Sequence, residues 1–269
     1  MAFIALNTSA TGLSALSTSL DVIANNLANV NTVGFKQSRV NFEDLLYIER
    51  AQPGGENALG QERPIGLSVG LGVQVSGTQL NFQEGPAQQT GMPLDLLIEG
   101  EGFFQVEIDP EIGDGIGYTR AGNFTLNSQG EIVLANAQGN RLHPDITVPE
   151  DALTVQVNTD GSVWITTTGS IDQQQIGTLE ISRFINPSGL QQIGDTLFVP
   201  TSASGEPING EPGQAGLGLI HQGFLEGSNV DPVVELVNLI RTQRAFELNS
   251  QAIQATNETL QNISNLARA

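Results

Sequence analysis

Two stretches at opposite ends of the chain carry an apolar repeat of the same period, and no other feature limits the fold as strongly. Between Gly12 and Val30 the residues Leu13, Leu16, Leu20, Ile23, Leu27 and Val30 follow one another at steps of three and four. That spacing is the seam of a coiled coil rather than the broader stripe of an ordinary surface helix. Behind it stand Asn25, Asn26, Asn29 and Asn31, then Gly34. Their amides compete for backbone hydrogen bonds and the glycine suits a C-cap, so the helix is expected to stop there. The second stretch, Leu239, Thr242, Phe246, Asn249, Ile253, Thr256, Leu260, Ile263 and Ala267, keeps the same rhythm. Ser228, Asn229 or Asp231 can cap it, with Pro232 in its first turn.

The pattern predicts a discontinuous α-helical coiled-coil domain made of residues 1–35 and 230–269. On pattern alone the two helices serve equally as part of one globular core. Polar Thr and Asn in alternate slots of the second seam mean that a lone two-helix hairpin buries little, and packing against further copies would complete it.

Charge separates the ends from the middle. The chain of 269 residues carries a net charge of −19. Residues 1–35 hold one acid and no base and residues 230–269 four acids and three bases, which leaves −17 to the residues between. Nearly neutral ends pack closely against copies of themselves, while an acidic middle stays solvated. The overall sign excludes nucleic acid and anionic membrane as partners. Cysteine is absent, the N-terminus has neither a basic region nor an apolar run of signal-peptide length, and no segment approaches the ~18 apolar residues of a membrane span. No membrane insertion and no cleaved signal peptide are expected.

Residues 36–75 read as an extended connecting arm or irregular hairpin. Gly34–Tyr47 is ambiguous between strand and helix and holds Lys36, the only lysine; Gln52–Gly72 is rich in Gly and Pro, which break regular elements. Gly66, Gly70 and Gly72 lack the lysine and the strand-helix frame of a phosphate loop. From there the period becomes two, and residues 76–229 are expected to form a mainly β domain. Phe124 and Leu126 face Ile132 and Leu134 across NSQG, and Val155 and Val157 face Val163 and Ile165 across NTDG, both as hairpins. Further strands are expected at Gly102–Ile108, Gly177–Phe184 and Thr196–Pro200, and Trp164 is expected in the core.

The residue types of a catalytic centre are sparse. His143 and His221 are the only histidines and lie in no zinc or hydrolase motif. Asp109, Glu111 and Asp114 imitate the start of a calcium loop, but Gly113 replaces a ligand and no closing glutamate follows. A solvated hairpin tip fits better. Glu99 and Glu101, two apart on a strand, would point the same way, which leaves a carbohydrate-acting β domain as the competing class. No catalytic residue, cofactor or metal is expected.

The stretches VIANNLANVNTVGFK (22–36), MPLDLLIEGEGFFQV (92–106), YTRAGNFTLNSQGEIVLANAQGNRL (118–142) and the run from Ser228 to Leu266 resemble, in that order, the signatures of the bacterial flagellar rod and hook family. Ile108–Gly117 carries no family pattern. The resemblance implies that the paired ends form the innermost layer of a tube. Its interface would be Leu13, Leu16, Leu20, Ile23, Leu27 and Val30 with Leu239, Phe246, Ile253, Leu260 and Ile263, and its N-terminal motif Asn25, Asn26, Leu27, Asn29, Gly34 and Phe35. Residues 45–75 resemble a segment by which distal-rod members differ from the hook, so Pro53, Leu59, Pro64, Ile65 and Leu67 would belong to a stiffening arm. A structural subunit is implied, a helical homopolymer forming a straight torque-transmitting shaft across the periplasm; a proximal-rod or hook-type subunit is the alternative within the family. Implied partners are other copies, the proximal rod, the hook or its junction, the ring bushing and the flagellar type III export apparatus.

Overall fold

The computed structural model describes residues 2–54, 64–168, 173–214 and 216–266; the side chains of residues 2, 3, 263, 264 and 266 lie outside the description. The chain divides into two compact units. One holds the helical ends, up to Leu27 and from Pro232, with residues 38–79; the other holds residues 28–37 and 80–231.

In the first unit, helix α1 spans Ala2–Ala28 and helix α2 spans Pro232–Leu266. α1 begins ten residues before the expected start. The seam marks only the face that meets a partner, while Thr8 and Thr11 donate their hydroxyls to the carbonyls of Ile4 and Thr8 and so satisfy themselves inside the helix. It ends two residues early, where Thr32 N–H closes a turn on Asn29 O. α2 starts with proline as its first helical residue, where a missing N–H costs nothing. The helices pack together: Asn249 of α2 lies against Gly12 of α1, where an added Cβ would stand 3.3 Å from Asn249 Nδ2.

The ambiguous stretch after α1 is a strand. β1 (Ser38–Asp44) pairs with β4 (Val73–Leu80), and β2 (Tyr47–Ala51) pairs antiparallel with β3 (Leu67–Gly70), Ile48 opposite Val69. Leu45 N–H to Gly72 O and Leu71 N–H to Leu46 O carry one ladder into the next, so the arm leaves as a continuous antiparallel ribbon. It falls in the same unit as the helices.

The second unit is built of antiparallel pairs. Its largest sheet runs β16 (Gln191–Gly194), β17 (Leu197–Val199), β8 (Ile116–Thr119), β7 (Phe103–Glu107), β15 (Ile181–Arg183) and β18 (Ile208–Gly210), with β11 (Leu142–His143) also on β7. A three-stranded sheet joins β12 (Ala152–Val157), β13 (Ser162–Thr167) and β14 (Gln173–Thr178). Three two-stranded pairs complete the unit: β9 (Phe124–Leu126) with β10 (Ile132–Leu134), β6 (Leu96–Glu99) with β19 (Leu219–Gln222), and β5 (Ala87–Gln89) with β20 (Phe224–Glu226). Both expected hairpins have the expected register, Phe124 opposite Leu134 and Val157 opposite Val163.

Phe104, Val106, Val163, Ile181 and Ile220 are fully buried in the main core. Side chains of this kind contribute about 1.5–3 kcal/mol each on burial. A second cluster gathers Phe103, Phe184, Phe198 and Tyr118 edge to face.

Two expectations fail here. Gly177–Phe184 is not one strand, because β14 ends at Thr178 and β15 begins at Ile181 in another sheet. Leu179 N–H turns away to Gly161 O between them. Trp164 is only half-buried: Val163 and Ile165 take the core face of β13, so the residue between them must face outward.

Candidate assembly interface

On α1 the seam leucines Leu13, Leu16, Leu20 and Leu27 are half-buried, and so is Val30 just beyond the helix; of the predicted set only Ile23 is buried. Ala15 and Asn26, outside the leucine pattern except by proximity, go deeper still. On α2, Leu239, Ile253 and Leu260 are half-buried together with the polar slots Thr242, Asn249 and Thr256, so the three-four rhythm does select the covered face. Phe246 is 36% exposed, and the side chain of Ile263 lies outside the described residues. Sequence reasoning missed a second apolar face along the first half of α2, where Leu236, Val237, Ile240 and Leu248 are exposed. Isolated exposed leucines are ordinary on a protein surface; four on one helix with Val233 and Val234 form a patch.

The same unit holds a cavity of about 620 Å³ between Ile4 and Thr8 of α1, Arg50 and Val69 of the ribbon, and Thr256 and Thr259 of α2. The ribbon bares apolar surface too. Leu46 and Ile65 are at least 80% exposed, Leu67 more than half, and Phe42, Tyr47 and Ile48 are also exposed. Pro53 and Pro64 are exposed; Leu59 lies outside the described residues.

The N-terminal motif residues differ in their surroundings. Asn25 is exposed, and Asn26 is buried, its amide reading the Ser38 backbone in both directions: Nδ2 to Ser38 O at 2.8 Å and Ser38 N–H to Oδ1 at 3.0 Å. Asn29 accepts from the Thr32 hydroxyl. Gly34 adopts φ 69°, and a Cβ there would stand 2.5 Å from Ala121 N, so the position needs glycine on both counts. Phe35 is buried behind it.

The residue after the motif proves central. Lys36 is fully buried, its Nζ donating to Glu226 Oε1 at 2.5 Å and to Gln83 O at 2.7 Å. Glu226 Oε1 also accepts Gly85 N–H, its Oε2 faces Arg120 Nη1 at 3.4 Å, and its carbonyl accepts Gly34 N–H. Arg120 is 5% exposed, donates to Ile98 O and Gly100 O, and lies over the Phe103 ring. Burial lowers the pKa of both Lys36 and Arg120, with the Glu226 carboxylate opposing the shift in each. Next to this cluster Asn229 accepts Gln37 N–H on Oδ1 and donates from Nδ2 to Asn81 O and Gln83 O. Lys36 was singular in the sequence only as its sole lysine; its carboxylate partner stands 190 residues away.

The groups weighed for chemistry are engaged separately. β6 ends at Glu99 and Gly100 turns with φ 104°, so Glu99 and Glu101 do not share a strand face. Glu99 meets His221 Nε2 at 2.6 Å, and Glu101 meets Arg183 at 3.6 Å. A groove of about 780 Å³ in the β unit has walls including Met92, Leu126 and Leu153, and Glu150 is the sole ionisable residue lining it. That is not the two-carboxylate arrangement of a glycosidase. Among the described residues no group of three or more His, Cys, Asp or Glu is placed to hold a metal ion, and no helix is long and apolar enough to cross a membrane. Residues 109–114 form an exposed turn between β7 and β8, and Ile116 and Gly117 already belong to β8.

Three family descriptions match along the chain: "Flagella basal body rod protein" over residues 6–36, "Flagellar hook protein FlgE/F/G D1 domain" over 97–165, and "Flagellar basal body rod FlgEFG protein C-terminal" over 221–266. The flagellar basal-body rod protein FlgG of Borreliella burgdorferi is 42% identical over 98% of each chain, and that of Buchnera aphidicola (Schizaphis graminum) 41% identical over 96% of this chain and 97% of its own. The chain belongs to the flagellar rod and hook family. Each buried charge of the junction falls in a different family match, Lys36 in the first, Arg120 in the second and Glu226 in the third, whereas the ribbon from Ser38 to Leu80 lies outside all three. A solved family member, the Helicobacter pylori flagellar hook protein FlgE2, is 14% identical with a TM-score of 0.24, covering 70% of this chain and 56% of that one. That likeness is too slight to bear on the fold.

Proposed function

We propose that this chain is a structural subunit of the flagellar rod, in its distal part, and that it polymerises through its terminal helices into a straight hollow shaft carrying torque from motor to hook. The observation that carries the reading is similarity over nearly the whole length to proteins named flagellar basal-body rod protein. The uncovered apolar faces of α2 and of the ribbon support self-assembly, since a helical lattice is the arrangement in which one surface of each copy covers another surface of the next.

In this reading the seam from Leu13 to Val30 and from Leu239 to Ile263 closes the inner tube. Pro53, Leu59, Pro64, Ile65 and Leu67 reach a neighbouring copy and hold it against axial sliding. The protein performs no chemistry. It crosses the periplasm as part of the rod after leaving through the flagellar type III apparatus without cleavage of a signal peptide. It meets the proximal rod at one end, the hook or its junction at the other, and the ring bushing at its flank.

Electron microscopy of the purified protein at high concentration tests the assembly. Straight filaments are expected, and a protein that stays monomeric at every concentration overturns the reading.

A further inference from the structure

The two ends of the chain run into the β unit at one point, and the packing there is unusual in kind. Segments 34–37, 81–85 and 226–229 meet without a regular sheet ladder joining all three: single backbone bonds run from Gly34 N–H to Glu226 O, Asn229 N–H to Phe35 O and Asn81 N–H to Gln37 O, and side chains add the remaining ties. Glu226 alone ties Gly34, Lys36, Gly85 and Arg120, and Asn229 alone ties Gln37, Asn81 and Gln83. Close approach is built in as well: a Cβ on Gly85 would stand 2.0 Å from Gly227 O.

Stability does not explain this choice of residues. Apolar side chains of similar volume typically serve a core as well as a buried ion pair or better, because desolvation offsets the Coulomb attraction. The polar version differs in having few satisfied arrangements. Glu226 has partners for both carboxylate oxygens only when Arg120 and at least one of Lys36 and the Gly85 N–H are in place, and the half-buried Asn229 amide reads the backbone at three separate residues. Such a cluster fixes geometry.

We propose that Lys36, Arg120, Glu226 and Asn229 form a clamp that fixes the exits of the two helical ends at a single point of the β unit before any second copy is present. They are positioning residues for assembly. With both exits held, pairing of α1 with α2 is an intramolecular event at high effective concentration and in one register. A neighbouring copy then meets a pre-set pair of helices instead of two independent tails. The consequence for filaments rests on the assembly reading above; the clamp itself does not.

Because the chain has no cysteine, spin labels can be placed at Asn31→Cys and Asp231→Cys in the full-length monomer, one on each exit, and the interlabel distance distribution measured by pulsed electron resonance. Two clamp variants are compared on that common background. The paired change Lys36→Met with Glu226→Gln removes the ion pair without leaving a lone buried carboxylate, and Asn229→Ala leaves the ion cluster whole. Near-ultraviolet circular dichroism confirms that the β unit keeps its packing in the variant that is scored. The parent is expected to give one narrow distribution and each folded variant a distribution several-fold broader, with the concentration needed for filaments raised about tenfold or more. An unchanged width in folded Asn229→Ala overturns the clamp. A parent protein that makes no filaments overturns the assembly reading instead, while the distance widths still decide the clamp.

Discussion

The β unit and the helical ends solve the burial problem differently. In the β unit the large apolar side chains find partners within one copy: Phe104, Val163, Ile181 and Ile220 are fully buried and the aromatic rings pack edge to face. In the helical unit Ala15 and Ile23 are the buried apolar side chains among the described residues of α1, the seam leucines stop halfway, and α2 shows a patch of exposed aliphatics. A region that closes on itself is stable alone. A region that leaves half of its seam open is stable only in proportion to what covers it.

The comparison is broken most severely by a charge in the seam. Leu20→Asp is expected to abolish filaments while leaving the β unit folded, since burying the carboxylate against neighbours costs several kcal/mol; loss of near-ultraviolet dichroism would show that the two units are not independent. Next in size are two truncations. Phe104→Ala is expected to lower the stability of the β unit by about 3–5 kcal/mol, and Leu248→Ala, at an exposed site of α2, to stay within about 0.5 kcal/mol for the monomer. Denaturant titration of monomers reads both. Equal effects would erase the contrast.

Deleting residues 54–63 should be milder. Filaments are expected to form but to curve, and straight filaments of normal stiffness would remove the arm as the stiffening element. The smallest effect concerns pH. Burial holds the Lys36 pKa below its unfolded value of about 10.4. Between those two values the unfolded chain binds the extra proton, so this group makes stability rise as pH rises through that window. Burial raises the Tyr118 phenol and acts in the opposite direction once pH passes its unfolded value of about 10. Denaturation midpoints of the parent and of Lys36→Met, compared at successive pH values below that point, are expected to diverge as pH rises; parallel curves would deny Lys36 the effect.

Much of this contrast was legible beforehand, through local signals. NSQG and NTDG name their turns, and alternation on either side fixes each register. The three-four rhythm found the covered face of α2 even at its Thr and Asn slots. What stayed hidden depends on partners far along the chain. Lys36 looks like a surface residue until Glu226 is brought to it, and nothing in a periodicity reaches across 190 residues. The first ten residues of α1 were missed because a seam reports contact rather than helicity. Its place in an alternating strand suggests the core for Trp164, but the same alternation gives the core face of β13 to Val163 and Ile165.

The ribbon's closed base has a different consequence. Asn81 N–H bonds Gln37 O, and the pairing continues along the chain to Ala51 opposite Leu67. Because the ladder holds its own register up to those two residues, a change of chain length between them is expected to leave the base where it is. An effect of changing that span on filament curvature would therefore report the arm's far end and not a disturbed base.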